Sequence, residues 1–202
     1  MNIIITAEEF FRASKSQPIV FSKKEDGEFV ATAIMGIKEN SNLFVNAKGE
    51  WKNSEYIPAY LRRYPFIFVQ NEETLALAVD EDCKAVNEKE GQSLFDENGE
   101  SSEYTKKVME FMQNFQSSSI KTANLIKELD SLGLLEETNV NMTIKDEKLS
   151  FTGFMRVNEA KLNELSDEDT LKLVKSGAYK LITAHLISLT NFDKLVSYYS
   201  SK

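Results

Sequence analysis

The spacing of apolar positions changes near residue 100 of this 202-residue chain. Before it, apolar residues fall in short runs and alternations broken by Gly, Pro, Asn and Asp, which is the pattern of strands joined by tight turns. Thr6-Ala7-Glu8-Glu9 is a capping box, with Thr6 as N-cap and Glu9 at the third helical position, and it predicts a short helix from about Ala7 to Ser14. Pro18 to Phe21 reads as a strand, Asp26-Gly27 as a hairpin turn, and about Glu28 to Met35 as the return strand ended by Gly36. Asn42 to Val45 reads as another short strand, and Asn46 to Gly49 turns the chain. Pro58 suits the first turn of a helix, which would put Tyr60 and Tyr64 on one face; Pro65 ends it. Phe66 to Gln70 and Thr74 to Val79 form a second hairpin around Asn71-Glu72-Glu73. Glu81 to Gln92 is polar loop with a helical turn, and Leu94 to Glu100 echoes Leu43 to Glu50 as a second turn of similar kind.

Past Ser101 the period is helical. Tyr104, Val108, Phe111, Met112 and Phe115 mark one helix, and a second begins at about Ile120 with Leu125, Ile126 and Leu129 on its face and Gly133 as its C-cap. Val140 to Ile144 and Lys148 to Phe151 make a last hairpin around Lys145-Asp146-Glu147. Asn158 and Ser166 are N-caps for two short helices, and helices from about Gly177 to Leu189 and Asn191 to Tyr199 close the chain. The class expected is α+β: a mostly antiparallel sheet from the N-terminal half packed with C-terminal helices. One domain over 1–202 is expected, strand-rich over 1–99 and helix-rich over 100–202, with one hairpin near 140–152.

Charge narrows the functions available. With 24 basic and 32 acidic residues the net charge is −8, a field that repels phosphate backbones, and no basic run exceeds two residues. Nucleic acid is therefore not the expected partner. The single cysteine, Cys83, permits neither an intrachain disulfide nor a Cys-based zinc site. Met1 to Thr6 lacks the basic start and apolar core of a secretory signal, and no apolar run reaches membrane-spanning length, so a cytoplasmic location is expected.

Little in the chain names a reaction. There is no phosphate-binding glycine loop and no serine elbow, and neither a metal site nor a cofactor site is expected. His185 is the only histidine, flanked by Leu181, Ile182, Leu186 and Leu189; its expected role is a packed ring, with proton carrier as the alternative. Arg62-Arg63 suits bidentate recognition of a carboxylate or phosphate, or else internal ion pairing. With Trp51, Tyr56, Tyr60 and Tyr64 the pair makes the candidate binding surface, since Trp, Tyr and Arg dominate recognition hot spots. Asp96-Glu97-Asn98-Gly99-Glu100 has the wrong glycine position for an EF-hand loop and reads as an acidic turn.

Gln17-Pro18-Ile19-Val20-Phe21, Asn42 to Val45, Gly49-Glu50-Trp51 and the long run Tyr56-Ile57-Pro58-Ala59-Tyr60-Leu61-Arg62-Arg63-Tyr64-Pro65-Phe66 resemble the SapC family. Glu90 to Phe95, Gly99-Glu100, Leu132 to Leu135 and Ala184 to Leu189 agree, so the resemblance runs from about Phe10 to Leu195. It implies an association with bacterial surface arrays, because the family takes its name from genes beside those for S-layer protein secretion. It implies no catalytic residue. The function expected is a non-enzymatic accessory protein that binds a protein partner, a secretion or surface-layer component, with self-association left open. The alternative is a ligand-binding protein or enzyme in which Arg62 or Arg63 holds an anionic group and His185 carries a proton.

Overall fold

The computed structural model describes residues 1–38, 40–52, 55–71, 74–144 and 147–201. The first strand, β1 (Asn2–Ile5), leads through a 3₁₀ turn at Ala7–Glu9 into α1 (Phe10–Ala13). Then come β2 (Ile19–Lys23), β3 (Phe29–Ile34), α2 (Ala59–Arg62), β4 (Phe66–Asn71) and β5 (Thr74–Val79). The long helix α3 (Glu103–Ser131) precedes β6 (Leu135–Ile144) and β7 (Glu147–Val157), and α4 (Glu159–Asn163), α5 (Asp167–Ser176), α6 (Ala178–Leu189) and α7 (Phe192–Ser200) follow. The class is α+β, with antiparallel strands of the N-terminal half against helices of the C-terminal half. A five-stranded sheet has the order β1-β3-β2-β7-β6, and β4 with β5 forms a separate two-stranded ribbon.

Local signals act where they stand. Glu9 Oε2 accepts from the backbone N–H of Thr6 at 2.8 Å, the return bond of the capping box. Gly27 takes φ +86° between β2 and β3, a conformation that favours glycine. Asn158 and Ser166 accept from Lys161 N and Asp169 N and start α4 and α5. Gly133, at φ +67°, lets the chain leave α3, and Leu134 N–H returns to Leu129 O at 3.0 Å.

Several expectations change. No strand is expected before Thr6, yet Asn2–Ile5 pairs with β3, and Ile3 and Ile5 sit opposite Ala33 and Ala31 and are buried. Asn42 to Val45 is not a strand: Asn42 Oδ1 accepts from Phe44 N–H at 2.9 Å, which bends the backbone, and only Val45 bridges to Trp51. Tyr60 and Tyr64 do not share a helix face, because α2 ends at Arg62. The break expected near Ile120 does not occur. Ser119 and Thr122 donate their hydroxyls to Phe115 O and Ser118 O, so polar side chains stay within one 29-residue helix. The last hairpin is longer than expected and joins the N-terminal strands where Met155 pairs with Phe21. Of the two expected turns, Glu72, Glu73, Lys145 and Asp146 lie outside the described residues.

The core lies between the sheet and the helices, with Phe10, Phe21, Phe44, Ile126, Leu134 and Leu195 fully shielded. The two similar turns are one structure used twice, fifty residues apart. Asn46 and Asp96 each accept through Oδ1 from the backbone N–H two and four residues on, and Gly49 and Gly99 take φ +82° and +81°. Each turn is closed by a bridge, Val45 to Trp51 and Phe95 to Ser101. The aligned partners are thus Phe44 with Leu94 and Val45 with Phe95. Both turns face solvent, but Phe44, which leads into the first, is fully buried, whereas Phe95 at the second is 60% exposed.

Candidate functional site

The Trp51 to Tyr64 segment wraps over a buried carboxylate. Glu9 is 4% exposed, and its Oε1 accepts from Tyr56 Oη at 2.9 Å and from Ala59 N–H at 2.7 Å. Its Oε2 accepts from Thr6 N–H and from the Thr6 hydroxyl at 3.0 Å. Four donors around one carboxylate satisfy a group that would otherwise be costly to bury. Gln17 adds a fifth tie, donating Nε2–H to Tyr56 O at 2.7 Å. The first helical turn of the chain and the Tyr56 to Phe66 run are thereby one unit.

From that anchor the candidate residues separate. Trp51 is half-buried and faces α7: its Nε1–H donates to Glu55 O at 3.2 Å and its ring stacks on Phe44, which meets Tyr198 edge-on. Glu55 accepts from Tyr198 Oη and pairs with Lys194, both at 2.6 Å. Burial raises the Glu55 carboxyl, but Lys194 and Tyr198 outweigh it and hold it below the usual range. The same contact, after burial, pushes the Tyr198 phenol up to about 12. Trp51 therefore belongs to a packed corner. Tyr56 is half-buried with its hydroxyl between Glu9 and Arg62; burial and then the Glu9 charge raise its phenol.

Arg62 is exposed but pinned. Its Nε–H donates to Ile57 O at 3.1 Å and Nη2–H to Tyr56 Oη at 3.3 Å, and the guanidinium lies 5.5 Å from the centre of the Phe111 ring. Arg63 lies over Tyr60 at 4.1 Å, a cation–π contact that fixes its head. Tyr60 is half-buried against Phe115 of α3. Tyr64 is 56% exposed and donates to Asp80 Oδ2 at 2.9 Å, which raises its phenol. Among the described residues neither arginine meets a carboxylate.

Arg62, Arg63 and Tyr64 share one cleft with Phe66, Tyr104, Lys107 and Phe111, a cavity of about 190 Å³. Phe66 and Tyr104 also line a larger cavity of about 620 Å³ with Pro65, Val79 and the loop from Ala85 to Leu94. The cleft is a cationic mouth with aromatic walls, chemistry suited to a carboxylate or other small anionic group. Sequence reasoning finds the arginines and misses Lys107, because Lys107 is one of many charges along α3 and only the packing of α3 on β4 brings it to the motif.

His185 stands apart from this cleft and is 0% exposed. Phe21 and Met155 pair directly, and two residues on, Ile19 and Val157 would form the next rung of the same kind. The His185 ring takes its place. Val157 N–H donates to Nε2 at 3.1 Å, and Nδ1–H donates to Ile19 O at 2.8 Å, which fixes the neutral tautomer with the proton on Nδ1. Ser188, one turn along α6, accepts from Ile19 N–H at 2.9 Å. Burial, opposed by the Ile19 carbonyl and helped by Arg156, lowers the imidazole to about 4. A ring so enclosed is part of the sheet, and a role beside the arginines as proton carrier is not supported by its position.

Among the described residues no helix is long and apolar enough to cross a membrane. No cluster of three or more His, Cys, Asp and Glu side chains suited to a metal occurs among them. The fold and site define an α+β protein organised around a ring-and-arginine motif seated on a buried glutamate. The family model that matches is SapC, over residues 1–195, and the chain belongs to the SapC family. No curated protein and no solved structure matched it.

Proposed function

We propose that this chain is a non-enzymatic accessory protein of surface-layer or surface-protein export, acting in the cytoplasm by binding a protein partner at the Arg62–Arg63 cleft. The association with surface arrays rests on the family. The binding role rests on one observation: two guanidinium groups are held against rings, at the mouth of a cavity, with no carboxylate beside them among the described residues. In a chain of net charge −8, where acids outnumber bases, uncompensated arginines favour a ligand over internal pairing. Of the six candidate binding residues, Arg62, Arg63 and Tyr64 border the cleft, Tyr56 and Tyr60 hold the arginines, and Trp51 supports the segment from the α7 side.

The test uses the host's purified surface-layer protein and its export components as analytes against the immobilised chain. Arg62→Ala with Arg63→Ala is expected to weaken binding at least about ten-fold, the scale of one lost charge-assisted contact. Circular dichroism confirms that the variant is folded. Equal binding by both forms overturns the reading.

A further inference from the structure

We propose that the cleft recognises a single carboxylate carried on an extended peptide next to an aromatic or aliphatic side chain, the acid held by Arg62, Arg63 and Lys107 and its apolar neighbour seated beyond Phe66 and Tyr104. This rests on the protein-binding reading above and names what the partner must present.

The charges are arranged for one acid. Arg62 has already committed Nε–H and one Nη2–H to Ile57 O and Tyr56 Oη, so its remaining donors point from a fixed frame. Arg63 is held by Tyr60, and Lys107 approaches from α3, where its charge also acts on Glu103 but forms no ion pair within 4 Å among the described residues. A ligand that meets pinned donors loses little further freedom on binding. Phe66, Tyr104 and Phe111 line the same mouth, so an acid held there has aromatic walls beside it.

The adjoining cavity sets what lies beside the acid. One wall, of Pro65, Phe66, Val79, Val86, Leu94 and Tyr104, is an apolar surface for a side chain, and the facing loop adds the polar Asn87, Gln92 and Ser93. Glu88, Lys89 and Glu90 line it together, two acids to one base, so a second negative charge there is disfavoured. A run of acids or a phosphate polymer therefore fits poorly. A volume of about 620 Å³ lies within the range of built ligand sites, and it adjoins the cationic mouth through Phe66 and Tyr104.

The test is fluorescence anisotropy with labelled hexapeptides Gly-Ser-Phe-Asp-Ser-Gly and Gly-Ser-Asp-Phe-Ser-Gly, each compared with its Asn-for-Asp and Gly-for-Phe forms. At least one acid peptide is expected to bind about ten-fold tighter than its Asn form and several-fold tighter than its Gly form. Lys107→Gln lies on an exposed helix position and keeps the fold; it and Arg63→Gln should each weaken binding by about three-fold or more. Equal affinity for acid and amide peptides, or no effect of Lys107→Gln, overturns the proposal. Sodium benzoate or inorganic phosphate binding as tightly as the peptide would assign the cleft to a small anion and overturn it too. If no peptide binds while the partner still requires Arg62 and Arg63, this inference fails and the proposed function stands. If the peptide binds as described while the partner is indifferent to the arginines, this inference stands and the proposed function fails.

Discussion

Acid should unfasten the sheet at one known point. His185 replaces a rung between β2 and β7, and only its neutral form can accept from Val157 N–H. A protonated ring would turn a second N–H toward that donor. The imidazole ordinarily titrates near 6.5 and is held down to about 4 in the fold, first by burial. The unfolded chain therefore takes up its proton at higher pH than the folded one. The contribution to stability is complete above pH 6.5, falls as pH drops between 6.5 and 4, and is lost below that. At 1.36 kcal/mol per pH unit, the loss is about 2 kcal/mol at pH 5 and about 3 kcal/mol once pH 4 is passed. As the sole histidine, its imidazole signal can be followed by NMR without assignment. Urea unfolding from pH 8 to 4 measures the linked stability. His185→Leu should remove most of the slope between pH 6.5 and 4.5, and should cost about 2–5 kcal/mol at pH 7 by leaving Val157 N–H and Ile19 O unmatched. A folded-state titration near 6.5, or an unchanged slope in the variant, would refute the argument.

Glu9→Gln should lower stability by about 2–4 kcal/mol, read as a shift in urea midpoint, because an amide turns a donor toward Thr6 N–H and loses the charge that Tyr56 and Ala59 also bond. Two glycines should behave differently on thermal denaturation. A Cβ on Gly36 would lie 1.7 Å from Ser41 O, a backbone atom, so Gly36→Ala should cost at least about 3 kcal/mol. At Gly49 a Cβ meets nothing within 4 Å, and Gly49→Ala should cost only the left-handed backbone penalty of about 1–2 kcal/mol. Equal losses at the two positions would contradict the packing around Gly36.

Much of the site depends on partners far away in the chain. Arg62-Arg63 stands out as a sequence feature, but the rings that hold the pair and the lysine beside it come from two separate stretches: Tyr56 and Tyr60 of the same segment, and Lys107 and Phe111, one turn apart on α3. Trp51 has the composition of a recognition residue and is instead tied to Glu55 and stacked on Phe44 against α7, a contact that nothing near Trp51 announces. Glu9 is legible as a capping residue, since that role needs only Thr6 three positions back. Its second role, accepting from Tyr56 and Ala59, spans about fifty residues and leaves no local pattern.

By itself the sequence determined the α+β class, the helix starts at Asn158 and Ser166, the turn at Gly27 and the exit at Gly133, because each rests on bonds between residues two to five apart or on a backbone angle that favours glycine. Tertiary structure alone decided that β6 and β7 extend the first sheet, that α3 runs unbroken, and that an imidazole stands in for a backbone rung. Those outcomes depend on which distant surface meets which. Periodicity states that a face will be buried, and says nothing of the face that will cover it.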